Sequence, residues 1–178
     1  MEIFIGGAGD DLAFLGFGVL ASYARRYAAE TGRPAIYVPN ARLRRVRRAI
    51  AEAAARGEAV NLIGHSWGGP DAWRAAAWAA RRGLPLRALV TLDPVDGPLR
   101  RRFEGALGCE WLNVVADPSA PDRSDALTRL PLLAGKPPRL PLAQATRQVI
   151  LDLNHWDVTG MMRASGARRL IEQTGSVA

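Results

Sequence analysis

Ala59-Val60-Asn61-Leu62-Ile63-Gly64-His65-Ser66-Trp67-Gly68 is the stretch on which the reading of this chain turns. A short apolar run leads into Gly64-His65-Ser66-Trp67-Gly68, and an alanine-rich run with helical character follows. That order describes a strand, a sharp turn and a helix, the setting in which a strained turn lifts a serine hydroxyl clear of a sheet edge. The tightness of such a turn leaves room only for residues without a Cβ at the two flanking positions, which here are glycines. Ser66 is therefore a candidate nucleophile. The competing reading is a glycine-rich turn with an incidental serine, and the rest of the chain decides between them.

Outward from that turn, strand-like and helix-like segments alternate along the chain. The strands read from apolar patterning are Glu2 to Ile5, Pro34 to Val38, Ala59 to Ile63, Arg87 to Leu92, Glu110 to Ala116 and Arg147 to Leu151. Helices are expected over Asp11 to Thr31, closed by Gly32 and Pro34; over Ala41 to Arg56, opened by Asn40 and closed by Gly57; over Ser66 to Arg82, closed by Gly83; and over Val158 to Gln173, with a weaker one around Leu99 to Leu107. Alternation of this kind predicts an α/β fold, a three-layer α/β/α sandwich with a mainly parallel sheet of about six strands. With 178 residues the expectation is one domain spanning 1–178. A long connection, Asp117 to Thr146, carries six prolines and is the expected place for a partial lid.

Composition narrows the function classes. Hydrophobic content of 48% and charged content of 23% are those of a globular protein, and no apolar run approaches the ~20 residues needed to span a bilayer. Nothing basic or strongly apolar precedes the first strand, so no export signal is read and a cytoplasmic location is expected. The net charge of +7 raises the question of a polyanion partner. The densest basic run, Arg42 to Arg48, interleaves its arginines with Leu43, Val46, Ile50 and Ala54 at helical spacing, which describes an amphipathic helix with a solvated face rather than a nucleic-acid site. Cys109 is the only cysteine, so neither an intrachain disulfide nor a cysteine metal cluster is possible.

A serine hydroxyl needs a base to act as a nucleophile at neutral pH, and that base needs an acid to orient it. The chain has two histidines. His65, next to Ser66 in the turn, is expected to point away from the serine and pack beside the sheet. His155, just beyond the last strand, reaches the strand-end edge where Ser66 stands and is the expected base. Two carboxylates, Asp93 and Asp117, end strands between Ser66 and His155, and each is followed by proline; either is able to orient an imidazole. Serine, acid, histidine is the chain order of one large hydrolase fold.

With those residues in view the chain resembles a small α/β-hydrolase of the lipase and esterase type over essentially its whole length. Gly64-His65-Ser66-Trp67-Gly68 resembles the lipase nucleophile elbow, Thr91-Leu92-Asp93-Pro94-Val95 resembles the acid turn of lipases whose carboxylate follows the strand after the elbow, and His155 resembles the terminal histidine. The resemblance favours Asp93 as the acid; other members of the fold place it one strand later, at the position of Asp117. It departs from larger members in lacking two initial strands and in the shortness of the segment from Asp96 to Gly108, where they carry a helical lid. A lidless, cutinase-like esterase is the nearer comparison.

The remaining expectations concern the pocket. Two backbone N–H groups are needed for the oxyanion: Trp67 is expected to supply one, and the loop Gly6-Gly7-Ala8-Gly9 the other, through Gly7 or Ala8. That loop is not read as a dinucleotide site, because Leu12 stands where the third glycine belongs and Asp10 and Asp11 put negative charge where a pyrophosphate would lie. No cofactor and no metal are expected. Trp67 and Trp156, beside the nucleophile and the base, are candidates for pocket walls, with Trp156 taken as substrate-binding; Trp73, Trp78 and Trp111 are read as core. The expected activity is cleavage of carboxylic esters, of small or lipid-like substrates, through an acyl-enzyme. A thioesterase or amidase with the same triad, or a noncatalytic hydrolase-like binding protein, are the alternatives.

Overall fold

A computed structural model describes residues 1–7, 18–95, 106–126 and 145–173. Its six strands are β1 (Glu2–Ile5), β2 (Ala35–Val38), β3 (Val60–His65), β4 (Leu86–Leu92), β5 (Glu110–Ala116) and β6 (Arg147–Leu151). They form one sheet in the order β2-β1-β3-β4-β5-β6, with all five pairings parallel. Because every strand points the same way, the chain crosses back between strands on the sheet faces, and all six C-terminal ends share one edge.

Alternate strand residues face opposite layers. Ile3, Ile5, Leu62, Leu89 and Trp111 pack against α2 (Leu43–Ala55) and α3 (Gly68–Ala80). Phe4, Ile63, Val90, Leu112 and Val114 pack against α1 (Val19–Thr31), α4 (Val158–Ala164) and α5 (Ala167–Glu172). The expected three-layer α/β/α architecture with a parallel sheet is what the chain forms. Burial on both faces explains why the central strands read as apolar runs rather than as polar–apolar alternation.

Several boundaries differ from the sequence reading. The C-terminal helix is two helices: Gly166, at φ 79°, breaks it after Ser165, whose hydroxyl donates back to the Met161 carbonyl at 2.7 Å and accepts the Ala167 N–H at 3.1 Å. Helix α2 is not opened by Asn40. It starts after Arg42 without a side-chain cap, because Asn40 and Ala41 form a turn in which Ala41 adopts φ 61° and donates its N–H to the buried carboxylate of Asp71 on α3. Strand β3 runs on through Gly64 and His65, and α3 begins at Gly68 rather than Ser66. The expected helical residues 11–17 and 99–105 lie outside the described residues, as does most of the Pro-rich connection.

The arginine-rich helix α2 buries Val46, Ala49, Ile50 and Ala53 and leaves most of its arginines solvated. Trp111 and Trp73 are core, as expected. Trp78 is only half-buried: the guanidinium of Arg82 lies 4.8 Å from its ring centroid and that of Arg47 lies 5.6 Å away. Among the described residues no helix is long and apolar enough to cross a membrane.

Candidate active site

Ser66 sits in the turn between β3 and α3 with φ 53°, a left-handed conformation costly for a residue with a Cβ. What holds it there is close packing. A Cβ built on Gly64 would run into the carbonyl of Gly68, and one on Gly68 would run into the carbonyl of Ile5, so the helix start is pressed against β3 and β1 at once. The two glycines of the motif are thus a condition of strand–helix contact, and the serine between them absorbs the strain.

The same turn is laced to the end of β4. The Ser66 N–H donates to the Leu92 carbonyl at 3.0 Å, and the Val95 N–H donates to the Ser66 carbonyl at 3.1 Å. Between them lies Asp93, itself at φ 38°. Its Oδ1 accepts the Ala116 N–H at 3.2 Å, which orients the carboxyl along the sheet edge. Its Oδ2 stands 2.6 Å from His155 Nδ1. A carboxylate only accepts, so Nδ1 carries the proton, and in the neutral tautomer with that proton Nε2 is the nitrogen with a lone pair. Asp117, the other strand-end carboxylate, is exposed, and its side chain has no partner among the described residues. Of the two candidates, Asp93 is the one that meets the histidine.

His155 is buried, and two further side chains grip its backbone. Asp125 Oδ1 accepts the His155 N–H at 2.9 Å. His65 Nε2 lies 2.9 Å from the His155 carbonyl, with the two imidazole centroids 4.7 Å apart. His65 is buried, and its contact with His155 is the part that sequence reasoning missed. Burial, and to a lesser degree the neighbouring His155, lowers its pKa to about 3, so the ring is neutral. Asp125 was missed altogether. The one trace of it is the polar cluster Asp122-Arg123-Ser124-Asp125, which closes a turn: the Asp122 N–H donates to Asp125 Oδ2 at 2.7 Å.

The described start of the Pro-rich connection therefore folds back onto the histidine loop. Ser119 donates to Asp152 through its N–H at 2.7 Å and its hydroxyl at 2.9 Å. The Asn154 amide, in the orientation that satisfies its neighbours, donates to Ala120 and Asp125. Of the connection Asp117 to Thr146 expected to form a partial lid, residues 127–144 lie outside the described residues.

Of the expected oxyanion donors, Gly7 lies directly against the serine: a Cβ there would stand 2.9 Å from Ser66 Cβ. Neither the Gly7 nor the Trp67 N–H has an acceptor among the described residues, as befits groups at a loop and at a helix start. Ala8 lies outside the described residues. The Trp67 side chain is 47% exposed. Trp156, one residue after His155, lines a cavity of about 450 Å³ together with Val158, Thr159 and the start of α1. No group of three metal-ligating side chains occurs among the described residues.

No family model and no curated protein matches the chain. Solved structures do. A protein of Xanthomonas campestris pv. campestris described as a candidate hydrolase of the alpha/beta superfamily is 21% identical, with a TM-score of 0.51 over 93% of this chain and 94% of that one. A thermostable esterase of Pseudomonas putida is 14% identical, with a TM-score of 0.53 over 95% of this chain and 70% of that one. With its sheet order, the turn at Ser66 and these likenesses, the chain has the α/β-hydrolase fold.

Proposed function

We propose that this chain is a serine hydrolase acting on carboxylic esters through an acyl-enzyme. The observation that carries the reading is the hydrogen-bonded junction between two strained turns, at Ser66 and at Asp93, with the Asp93 carboxylate on His155 Nδ1. A simple structural turn has no need of a left-handed serine, and a capping aspartate has no need of an imidazole. The fold shared with the Pseudomonas putida esterase supports the ester as the substrate bond.

In the proposed cycle Ser66 Oγ forms a bond to the ester carbonyl carbon while His155 Nε2 takes the hydroxyl proton. Asp93 holds the ring in the required tautomer and stabilises the imidazolium. The Trp67 and Gly7 N–H groups face the oxyanion. Collapse of the tetrahedral species breaks the bond to the leaving alcohol, which receives the proton from His155. Water, deprotonated by the same nitrogen, then releases the acid and restores Ser66. Trp156, next to His155 in the chain, is the proposed substrate-side residue; the cavity it lines includes neither Ser66 nor His155. No cofactor takes part in this scheme, and the substrate is a small-molecule or lipid-like ester.

A fluorophosphonate tests the reading. It should label Ser66 stoichiometrically in the wild-type protein and leave Ser66→Ala unlabelled. Folded wild-type protein that resists labelling overturns the proposal. Turnover of p-nitrophenyl esters, acyl thioesters and anilides in parallel then fixes the bond class.

A further inference from the structure

The triad explains how the His155 ring is aimed but not how the loop that carries it is held, and this loop has no regular secondary structure to do so. We infer that His65 and Asp125 are positioning residues that clamp the two peptide groups flanking His155, so that the base is registered against the nucleophile turn. The inference rests on the hydrolase reading of this site.

The geometry has three parts. The His155 N–H is taken by a buried carboxylate, Asp125, which the chain brings from the start of the Pro-rich connection. The His155 carbonyl faces His65 Nε2. A carbonyl only accepts, so Nε2–H of His65 donates, and its Nδ1 is left buried without a partner. A buried orphan nitrogen is a cost that a purely structural position would avoid by carrying an apolar residue. Here it is the other side of a ring whose remaining N–H reaches the catalytic loop.

The placement of His65 gives the clamp its meaning. It is the residue before Ser66 and the last residue of β3, paired in register with Leu92, the residue before Asp93. One side chain thus connects the covalent neighbour of the nucleophile to the backbone of the base by a single hydrogen bond, independently of Asp93. Its neutrality matters as well. A cationic side chain at this distance would oppose the imidazolium that forms on His155 during each step, whereas a neutral imidazole orients the loop without that repulsion.

Asp125 completes the arrangement from the opposite side. Its second oxygen accepts the Asp122 N–H and the Asn154 amide, so its orientation is set by groups other than His155. The Ser119–Asp152 bonds hold the two segments together next to it. The connection after β5 is therefore a brace for the base over residues 117–126.

The test separates this inference from the triad itself. His65→Leu keeps size and removes the donor; His65→Gln restores an N–H of similar reach; Asp125→Ala removes the acceptor. Two readouts are taken on folded protein: ester kcat and KM, and the deshielded proton on His155 Nδ1 seen by proton NMR, which requires the Asp93 bond but no turnover. The clamp predicts a fall in kcat of roughly tenfold to a hundredfold in His65→Leu and Asp125→Ala with KM nearly unchanged, the scale that a displacement of about 1 Å produces. It also predicts loss or broadening of the Nδ1 proton signal in both, and recovery of signal and kcat in His65→Gln. Should His65→Leu fail to fold, Asp125→Ala and His65→Gln still decide the matter. Variants that lose only thermal stability, with kcat per labelled serine and the Nδ1 signal unchanged, overturn the clamp. A wild-type protein with the Nδ1 signal but no fluorophosphonate labelling overturns the hydrolase reading instead, and the NMR arm still judges the clamp.

Discussion

His155 Nδ1 lies 2.6 Å from Asp93 Oδ2, across the ends of two strands that are not neighbours in the sheet. The contact spans β5, whose Ala116 N–H holds the other oxygen of the same carboxylate. With Asp93 as the proposed triad acid, Asp93→Asn should leave the fold intact while misorienting the imidazole, with a loss of about 10⁴ in kcat. Asp117→Asn, on an exposed side chain, should stay within roughly twofold of wild type. Steady-state ester kinetics on both variants check this, and the reverse ranking would move the acid to the next strand.

Gly7 is where the first loop touches Ser66, the proposed nucleophile. Alanine there would bring a Cβ to 2.9 Å from Ser66 Cβ, closer than packed carbons tolerate, so the loop must retreat and take its N–H with it. Gly7→Ala should lower kcat by about 10²-fold, the scale of one lost oxyanion donor, measured on protein that remains folded despite an overpacking cost of roughly 1–3 kcal/mol. Unaltered kcat would remove Gly7 from the oxyanion role.

The buried His65 links stability to acid. Its pKa falls from 6.5 to about 3 on folding, so the unfolded chain binds a proton that the folded chain refuses. Its contribution is complete above pH 6.5 and is lost as pH falls toward about 3, at up to about 1.4 kcal/mol per pH unit. Urea unfolding measured across that window should show the slope, and His65→Gln should reduce it. Equal slopes in the two proteins would contradict the buried neutral histidine.

At the opposite edge of the sheet, Glu2 is fully buried and its Oε1 accepts two bonds from Arg33, at 2.8 and 3.0 Å, and one from Asn61 at 3.2 Å. Arg33 also reaches the carbonyls of Ile171 and Glu172, which ties α5 to the N-terminal ends of β1 and β3. Arg33→Ala strands a buried carboxylate and should cost about 3 kcal/mol in unfolding free energy, without affecting the rate of fluorophosphonate labelling at 25 °C. A cost under about 1 kcal/mol would mean that the pair is solvated after all.

Much of this was legible along the chain. The six strands, the parallel α/β class, the serine turn and the order of serine, acid and histidine are local signals: apolar runs, glycines at turns and carboxylates at strand ends announce themselves within a few residues. Boundaries were harder where a distant group intervened. Asn40 lost its capping place because the buried Asp71, thirty residues away in sequence on α3, captures the Ala41 N–H. The break at Gly166 is local, but a glycine inside a helical pattern is equally compatible with continuation.

The sequence by itself determined that Ser66 stands in a strand–turn–helix context and that His155 and two strand-end carboxylates follow it, because each of these depends on neighbours close in the chain. Only the tertiary structure decided that Asp93 and not Asp117 meets His155, and that His65 and Asp125 grip the backbone of His155. Those contacts join residues 30 to 90 positions apart, and their existence depends on strand order and loop path, quantities that no local pattern of residues encodes.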